Sequence, residues 1–524
     1  MVRSTKIGFA AILSLVSTIG CGEHNSNVQL AENKVDSEKL LGNDELLGLT
    51  QSQCTTEALA KVTASPRAQL YINAPEVLSD ARARNSVNNS GPGGAWSFAF
   101  AMREILELPA DPGVVPANLL AEERAVDSFI EMFSAQTVNG ISAPARSQTR
   151  ELLTKSWVKR KDSAGIQRRW LGGAPFKLLA IVNRMDIVKR TSTGALDPTT
   201  TGEGRLVFGF TGTGSMSVIF EYNLPVGSLN PTTGTTQASW TALWRDLKNH
   251  LQDTDSKRTG VQPDQSLANQ PSLSDKARYL TALEAVTNRF VRRTSQKRSP
   301  TASPTQAAIS QIRTNEFIED PWQLREIVRG RSSAGTAVLR AATTKNALVP
   351  TQAVEAGKRP VTIRDDRDLG DWVDRNVSCS NATNLSSCRF TPADFQLPQS
   401  IAIKGKTFRS GSISNADFGR WFDADQGNLK RRFFALQSCD GCHQSETGVF
   451  FTHTDVGDGS PSSFLTGAFT VGSFEVEADL SRRLRNFKNL VCLAAPTATA
   501  LNLNASRPLN EPLEKRVGVS ESVH

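Results

Sequence analysis

The chain has 524 residues, 60 Lys+Arg against 52 Asp+Glu, and a net charge of +8. Its 39% hydrophobic and 21% charged residues are globular usage, which excludes wholesale disorder, and 37 Gly and 24 Pro without a period exclude a collagen-like chain. No run of 18 apolar residues occurs, so no stretch is long enough to span a bilayer as a helix, and at about 150 residues per domain the length accommodates roughly two to four domains.

Arg3 and Lys6 precede a short, mostly apolar run over 7–20, the pattern of an export signal. The run ends in Thr18-Ile19-Gly20-Cys21, which resembles the lipobox of bacterial lipoproteins. That resemblance implies that Cys21 is acylated, becomes the first mature residue and holds the protein to a membrane; Gly22 after it implies sorting to the outer membrane. Thr18 departs from the family's aliphatic preference, and an ordinary secretory signal cut nearby is the competing reading. Residues 1–20 are thus expected as a signal peptide and 21–60 as a polar tether. The expected location is the cell envelope, in the periplasm or at the cell surface.

Residues 61–350 read as one α+β domain of short-stranded sheet and helices. Gly91-Pro92-Gly93-Gly94 lacks the Lys of a phosphate-binding loop and reads as a plain turn before a helix over 95–108. Leu119, Leu120, Val126, Phe129, Ile130 and Phe133 recur at helical spacing and predict an amphipathic helix over 116–136. Short apolar stretches predict strands at 176–182, 206–210 and 217–222. Trp240, Leu243, Trp244, Leu247 and Leu251 share a helical face, as do Leu280, Leu283, Val286 and Phe290 in a helix over 277–292. His250, beside the first of these faces, reads as a packing residue. Ser/Gln/Pro-containing stretches at 253–275 and 299–306 interrupt the domain. The basic stretch 289–298, with Arg292, Arg293, Lys297 and Arg298, has no aromatic platform and no nucleic-acid module, so a solvated loop is expected and no nucleic-acid partner.

A polar constellation punctuates those strands. Asn183, Arg184, Met185 and Asp186 end the first, Glu203 and Arg205 precede the second, and Glu221 lies in the third. Pairing would bring them together near one sheet edge, as a salt-bridge network or, less favoured, a catalytic site; Asn315, Glu316, Arg325 and Glu326 around Trp322 are candidates to join.

Residues 351–510 are expected as a smaller, mainly helical or irregular region, followed by a tail at 511–524. Seven cysteines fit an oxidising compartment. With Cys21 acylated and Cys439 and Cys442 otherwise engaged, Cys379 would pair with Cys388 across an Asn/Ser-rich loop, and Cys54 with Cys492.

The sharpest motif is Cys439-Asp440-Gly441-Cys442-His443, a C-x-x-C-H that resembles the haem-attachment site of c-type cytochromes. The resemblance implies haem c, with both thiols joined to its vinyl groups and His443 as the proximal iron ligand. No Met follows position 216, so a distal Met from this region is excluded, and His453 is the candidate for the opposite face of the iron. Two alternatives stay open: a zinc site of Cys439, Cys442, His443 and His453, or a structural or redox-active disulfide. H-E-x-x-H and G-x-S-x-G are absent, and the stretch opening at Asp423 has Phe434 where a calcium loop needs Glu.

Leu179 to Asp186, Gly202 to Arg205, Phe220 to Tyr222, Arg313 to Glu316, Trp322 to Glu326 and Phe433 to His443, then Glu446-Thr447 and Phe451 to His453, together resemble a group of uncharacterised exported bacterial proteins over roughly residues 90–470. That resemblance implies no activity. The expected function is electron transfer or redox sensing in the envelope, with a redox partner protein. The alternatives are a non-enzymatic envelope lipoprotein with a structural cysteine pair, or a metal-dependent enzyme using Cys/His or the first-domain carboxylates.

Overall fold

A computed structural model describes residues 70–86, 93–138, 141–185, 202–224, 240, 243–244, 247, 276–293, 309–319, 322–342, 348–350, 367–380, 388–390, 400–403, 406–410, 413–415, 429–430, 433, 454–457, 459–466, 469–471, 474–476, 479–480 and 483. In chain order the elements begin with β1 (Tyr71–Ile72), α1 (Pro75–Leu78), α2 (Phe98–Leu106), α3 (Pro116–Glu131), β2 (Gln136–Val138), β3 (Ile141–Ala143), α4 (Ser147–Ser156), β4 (Lys159–Lys161) and β5 (Gln167–Arg169). There follow β6 (Phe176–Arg184), β7 (Glu203–Phe210), β8 (Met216–Asn223), α5 (Lys276–Val291), β9 (Ile309–Glu316), β10 (Gln323–Arg331), β11 (Ala337–Ala342) and β12 (Leu348–Pro350). The last are α6 (Arg367–Asn376), β13 (Val377–Cys379), β14 (Cys388–Phe390), β15 (Ser400–Ile403), β16 (Lys406–Ser410), β17 (Ile413–Asn415), α7 (Ser463–Thr466), β18 (Phe469–Val471) and β19 (Phe474–Val476).

An eight-stranded sheet in the order β1-β6-β7-β8-β9-β10-β11, with β17 also on β10, organises these elements. Every pairing in it is antiparallel. Helices lie beside an antiparallel sheet, so the mixed α+β class expected from the sequence is the class observed. Because β17 comes from residues 413–415, the sheet draws on both sides of the division read near residue 350.

Side chains alternate between the two faces of a strand, so the register assigns each residue its face. On one face of β6–β8 stand Phe176, Phe208, Phe220 and Tyr222, all buried. Phe98 of α2 stacks on Phe176 at 4.6 Å and meets Phe208 and Phe220 edge-on at 5.7 and 5.4 Å. Phe129 of α3 adds an edge contact to Phe176, and Phe290 of α5 meets Tyr222. Gly204 is the small residue this helix layer needs, since a Cβ there would come within 2.5 Å of the Phe290 ring. Each buried Phe contributes about 1.5–3 kcal/mol of apolar transfer, so this layer dominates the core.

Local signals explain the helix boundaries. The Ser97 side chain accepts from the Phe100 amide at 3.1 Å, which starts α2 at Phe98 rather than at 95. Pro116 occupies the first turn of α3, where its missing N–H is harmless. The helix expected to run to 136 stops at Glu131. There the Arg325 guanidinium donates to the carbonyls of Met132 and Ser134, at 2.6 and 2.9 Å, and β2 then pairs with β3.

Candidate functional site

The opposite face of the same strands is polar. By register, Arg184 lies across from Glu203, Arg205 across from Glu221, Glu221 across from Gln311, and Arg313 across from Glu326. The row therefore runs diagonally over β6, β7, β8, β9 and β10. Each of these seven side chains belongs to a residue that is buried. Arg205 reaches Glu203 at 2.7 Å and Glu221 at 3.2 Å; Arg313 reaches Glu221 at 3.5 Å and Glu326 at 3.6 Å. Gln311 also donates to Glu221. Burial pushes the Arg205 guanidinium below its ordinary range; Glu221 and Glu203 oppose that, while Arg184 and Arg313 add to it. Three guanidiniums and three carboxylates thus offset one another in a dry layer, where each depends on its partners.

A turn near the C-terminal end covers part of this face. Lys177, which shares the face through Gly209, donates to the Gly457 carbonyl. The Tyr71 hydroxyl donates to Thr454 Oγ1 at 2.7 Å, and Asn73 to the Gly459 carbonyl at 3.1 Å. The turn is local: the Asp455 carboxylate accepts from the Gly457 amide at 2.6 Å, and Gly459 takes the left-handed φ of 79° that closes it. Phe464 and Leu465 then enter the core.

The sequence expected Arg184, Glu203, Arg205 and Glu221 to converge, and they do. Convergence occurs across the middle of the sheet, because β9 and β10 extend it beyond the three strands read from the sequence. Of the residues around Trp322, Glu326 joins the network. Glu316 and Arg325 fall on the helix-covered face, where Arg146 contacts Glu316 at 2.5 Å and burial pushes Arg325 down to about 10. Asn315 is on the network face, 3.4 Å from the Ser217 hydroxyl. Asn183 turns away and accepts from the Met185 amide at 2.8 Å. Sequence reasoning passed over Gln311 and Arg313; the signal was the alternation in Ile309-Ser-Gln-Ile-Arg-Thr-Asn-Glu316, whose odd-numbered polar positions from Gln311 onward share one face.

This network has the donor set of a structural lattice. The Glu221 oxygens already face Arg205, Arg313 and Gln311, so the carboxylate is held among cations and an amide donor. Among the described residues no group of three or more His, Cys, Asp or Glu is placed to hold a metal ion, and no helix is long and apolar enough to cross a membrane.

Cys379 and Cys388 are joined by a disulfide that links β13 to β14 at directly opposed positions. Leu429 and Phe433, which precede the C-x-x-C-H motif, are helical and buried. Cys21, Cys54, Cys439, Cys442, His443, His453, Cys492, Asp186 and His250 lie outside the described residues, as do the signal, tether and tail. Comparison of the chain with protein-family models, curated proteins and solved structures finds no match.

Proposed function

We propose that this chain is an exported, lipid-anchored c-type haem protein that transfers electrons or senses redox state in the cell envelope. The observation that carries the proposal is Cys439-Asp440-Gly441-Cys442-His443. Its spacing suits two thioether links, in which each thiol adds across a vinyl group and its proton goes to the other vinyl carbon, with His443 adjacent as iron ligand. The cross-strand Cys379–Cys388 disulfide supports an oxidising compartment, where such attachment takes place. So does the basic and apolar opening that ends at Cys21. His443 and His453 would hold the iron, since ten extended residues span up to about 33 Å and would let both reach one group.

The test is expression of the full chain with the cytochrome c maturation machinery. A covalently coloured product that loses colour in Cys439→Ala/Cys442→Ala is expected. A colourless product with stoichiometric zinc would favour the zinc site, and a colourless, metal-free one a structural cysteine pair. In the haem protein, His453→Ala should turn a low-spin spectrum high-spin without releasing haem.

A further inference from the structure

The β4–β5 hairpin combines features that the haem reading does not use. Its strands carry Lys159-Arg160-Lys161 and Gln167-Arg168-Arg169, so five of six strand positions are basic. Three of these are engaged within the fold. Arg160 lies over the Trp170 ring at 4.8 Å; Arg168 meets Glu123 and Asp162, both at 2.9 Å; Arg169 meets Asp127 at 2.6 Å. Lys159 and Lys161 are exposed, form no ion pair among the described residues, and share one face of the hairpin by strand alternation.

Exposed aliphatic residues occur at the two ends of the same hairpin. Among the described residues the large hydrophobics standing out to solvent are Val114, Val115, Val158 and Ile166, each 48–55% exposed. Val158 precedes β4 and Ile166 closes the hairpin turn, whereas Val114 and Val115 lie on the loop bonded to that turn, where the Ser163 amide donates to the Val114 carbonyl at 2.9 Å. Scattered single exposures need no explanation, but here all four fall on one hairpin and its neighbouring loop.

We infer that the β4–β5 hairpin, with the Val114–Val115 loop, docks the folded body onto an anionic lipid surface. Free ammonium groups match the phosphate headgroups, and the aliphatic tips gain from entering the headgroup boundary. A soluble polyanion would use the lysines and leave the tips in water, which is why lipid fits better. The inference does not depend on Cys21, and its test removes the acyl chain.

Full-length chain carrying Cys21→Ser is sedimented with phosphatidylcholine vesicles, with and without phosphatidylglycerol. Binding is expected only where phosphatidylglycerol is present. Lys159→Ala/Lys161→Ala should weaken it about thirtyfold, from the usual contribution of each lysine near a charged surface. Ile166→Asp should also weaken it, about tenfold. Arg331→Ala/Arg340→Ala removes the same charge from the β10–β11 hairpin and should leave binding unchanged. Equal binding to neutral vesicles, equal loss in the Arg331/Arg340 variant, or retention on heparin without vesicle binding would each overturn the inference. Because acylation plays no part, either result leaves the Cys21 and haem readings to their own tests.

Discussion

On the helix-covered side of β6–β8, Phe176, Phe208 and Phe220 meet Phe98 and Phe129, while the other side of the same strands presents Arg184, Glu203, Arg205 and Glu221. Both sides are equally buried, so solvent does not distinguish them. What differs is the kind of interaction. Dispersion and apolar transfer are nondirectional, so the aromatic side tolerates a change of shape if volume is kept. The ionic side is a set of mutual dependencies, in which removing one member strands another charge in a dry layer.

The largest effect should come from breaking one member of the ionic side. Arg205→Met removes a guanidinium that contacts both Glu203 and Glu221 and should lower unfolding stability by about 3–5 kcal/mol in a urea titration. A loss under about 1 kcal/mol would show that water reaches the network and that the two sides differ less than their burial says. Replacing one partner with it should reverse much of the loss. Arg205→Met/Glu203→Leu leaves two guanidiniums, Arg184 and Arg313, with two carboxylates, Glu221 and Glu326, and is expected to be more stable than Arg205→Met alone. A double variant that folds and behaves as the parent does in the haem-loading test proposed above would give the network a role in the fold alone. A folded double variant with altered redox behaviour in that test would instead give it a functional role.

A smaller effect is expected from the aromatic side. Phe98→Leu keeps most of the volume among Phe129, Phe176, Phe208 and Phe220 and should cost below about 1.5 kcal/mol. A loss matching that of Arg205→Met would mean that ring geometry, rather than apolar volume, holds this side.

The two sides also differed in how far they could be read from sequence. Phe208 and Phe220 mark strands because apolar residues alternate or run together, and the 3.6-residue rhythm of α3 and α5 was visible for the same reason. β7 was read from residue 206, since Glu203 and Arg205 have loop-like chemistry; they are strand residues because Arg184 and Glu221 stand opposite them. β9 and β10 were not read as strands at all. Their sequences, Ile309-Ser-Gln-Ile-Arg-Thr-Asn-Glu316 and Gln323-Leu-Arg-Glu-Ile-Val-Arg-Gly-Arg331, lack a clean apolar stripe, and their charges become core residues only through long-range pairing. The meeting of Arg184, Glu203, Arg205 and Glu221 was legible once strand pairing was assumed. Arg313 was not, because nothing local marks it as a partner of Glu221.

The smallest effect concerns a buried carboxylate away from the large sheet, whose ion-pair partner Arg168 is partly exposed. Asp162 sits at the turn of the β4–β5 hairpin. Burial pushes its carboxyl up, but the Ile166 amide, Arg168 and the Ala164 amide outweigh that and hold it below the usual carboxylate range. The amide bonds are both 2.9 Å long. A carboxylate with a depressed folded-state pKa stabilises the fold fully above its unfolded value of about 3.9, and that stabilisation is lost as pH falls through the folded value. The Ala164 and Ile166 amide resonances should therefore hold steady down to about pH 4 and shift together below it. Asp162→Asn should abolish the joint titration of the two amides. A joint midpoint above about 4 would refute the depressed carboxyl.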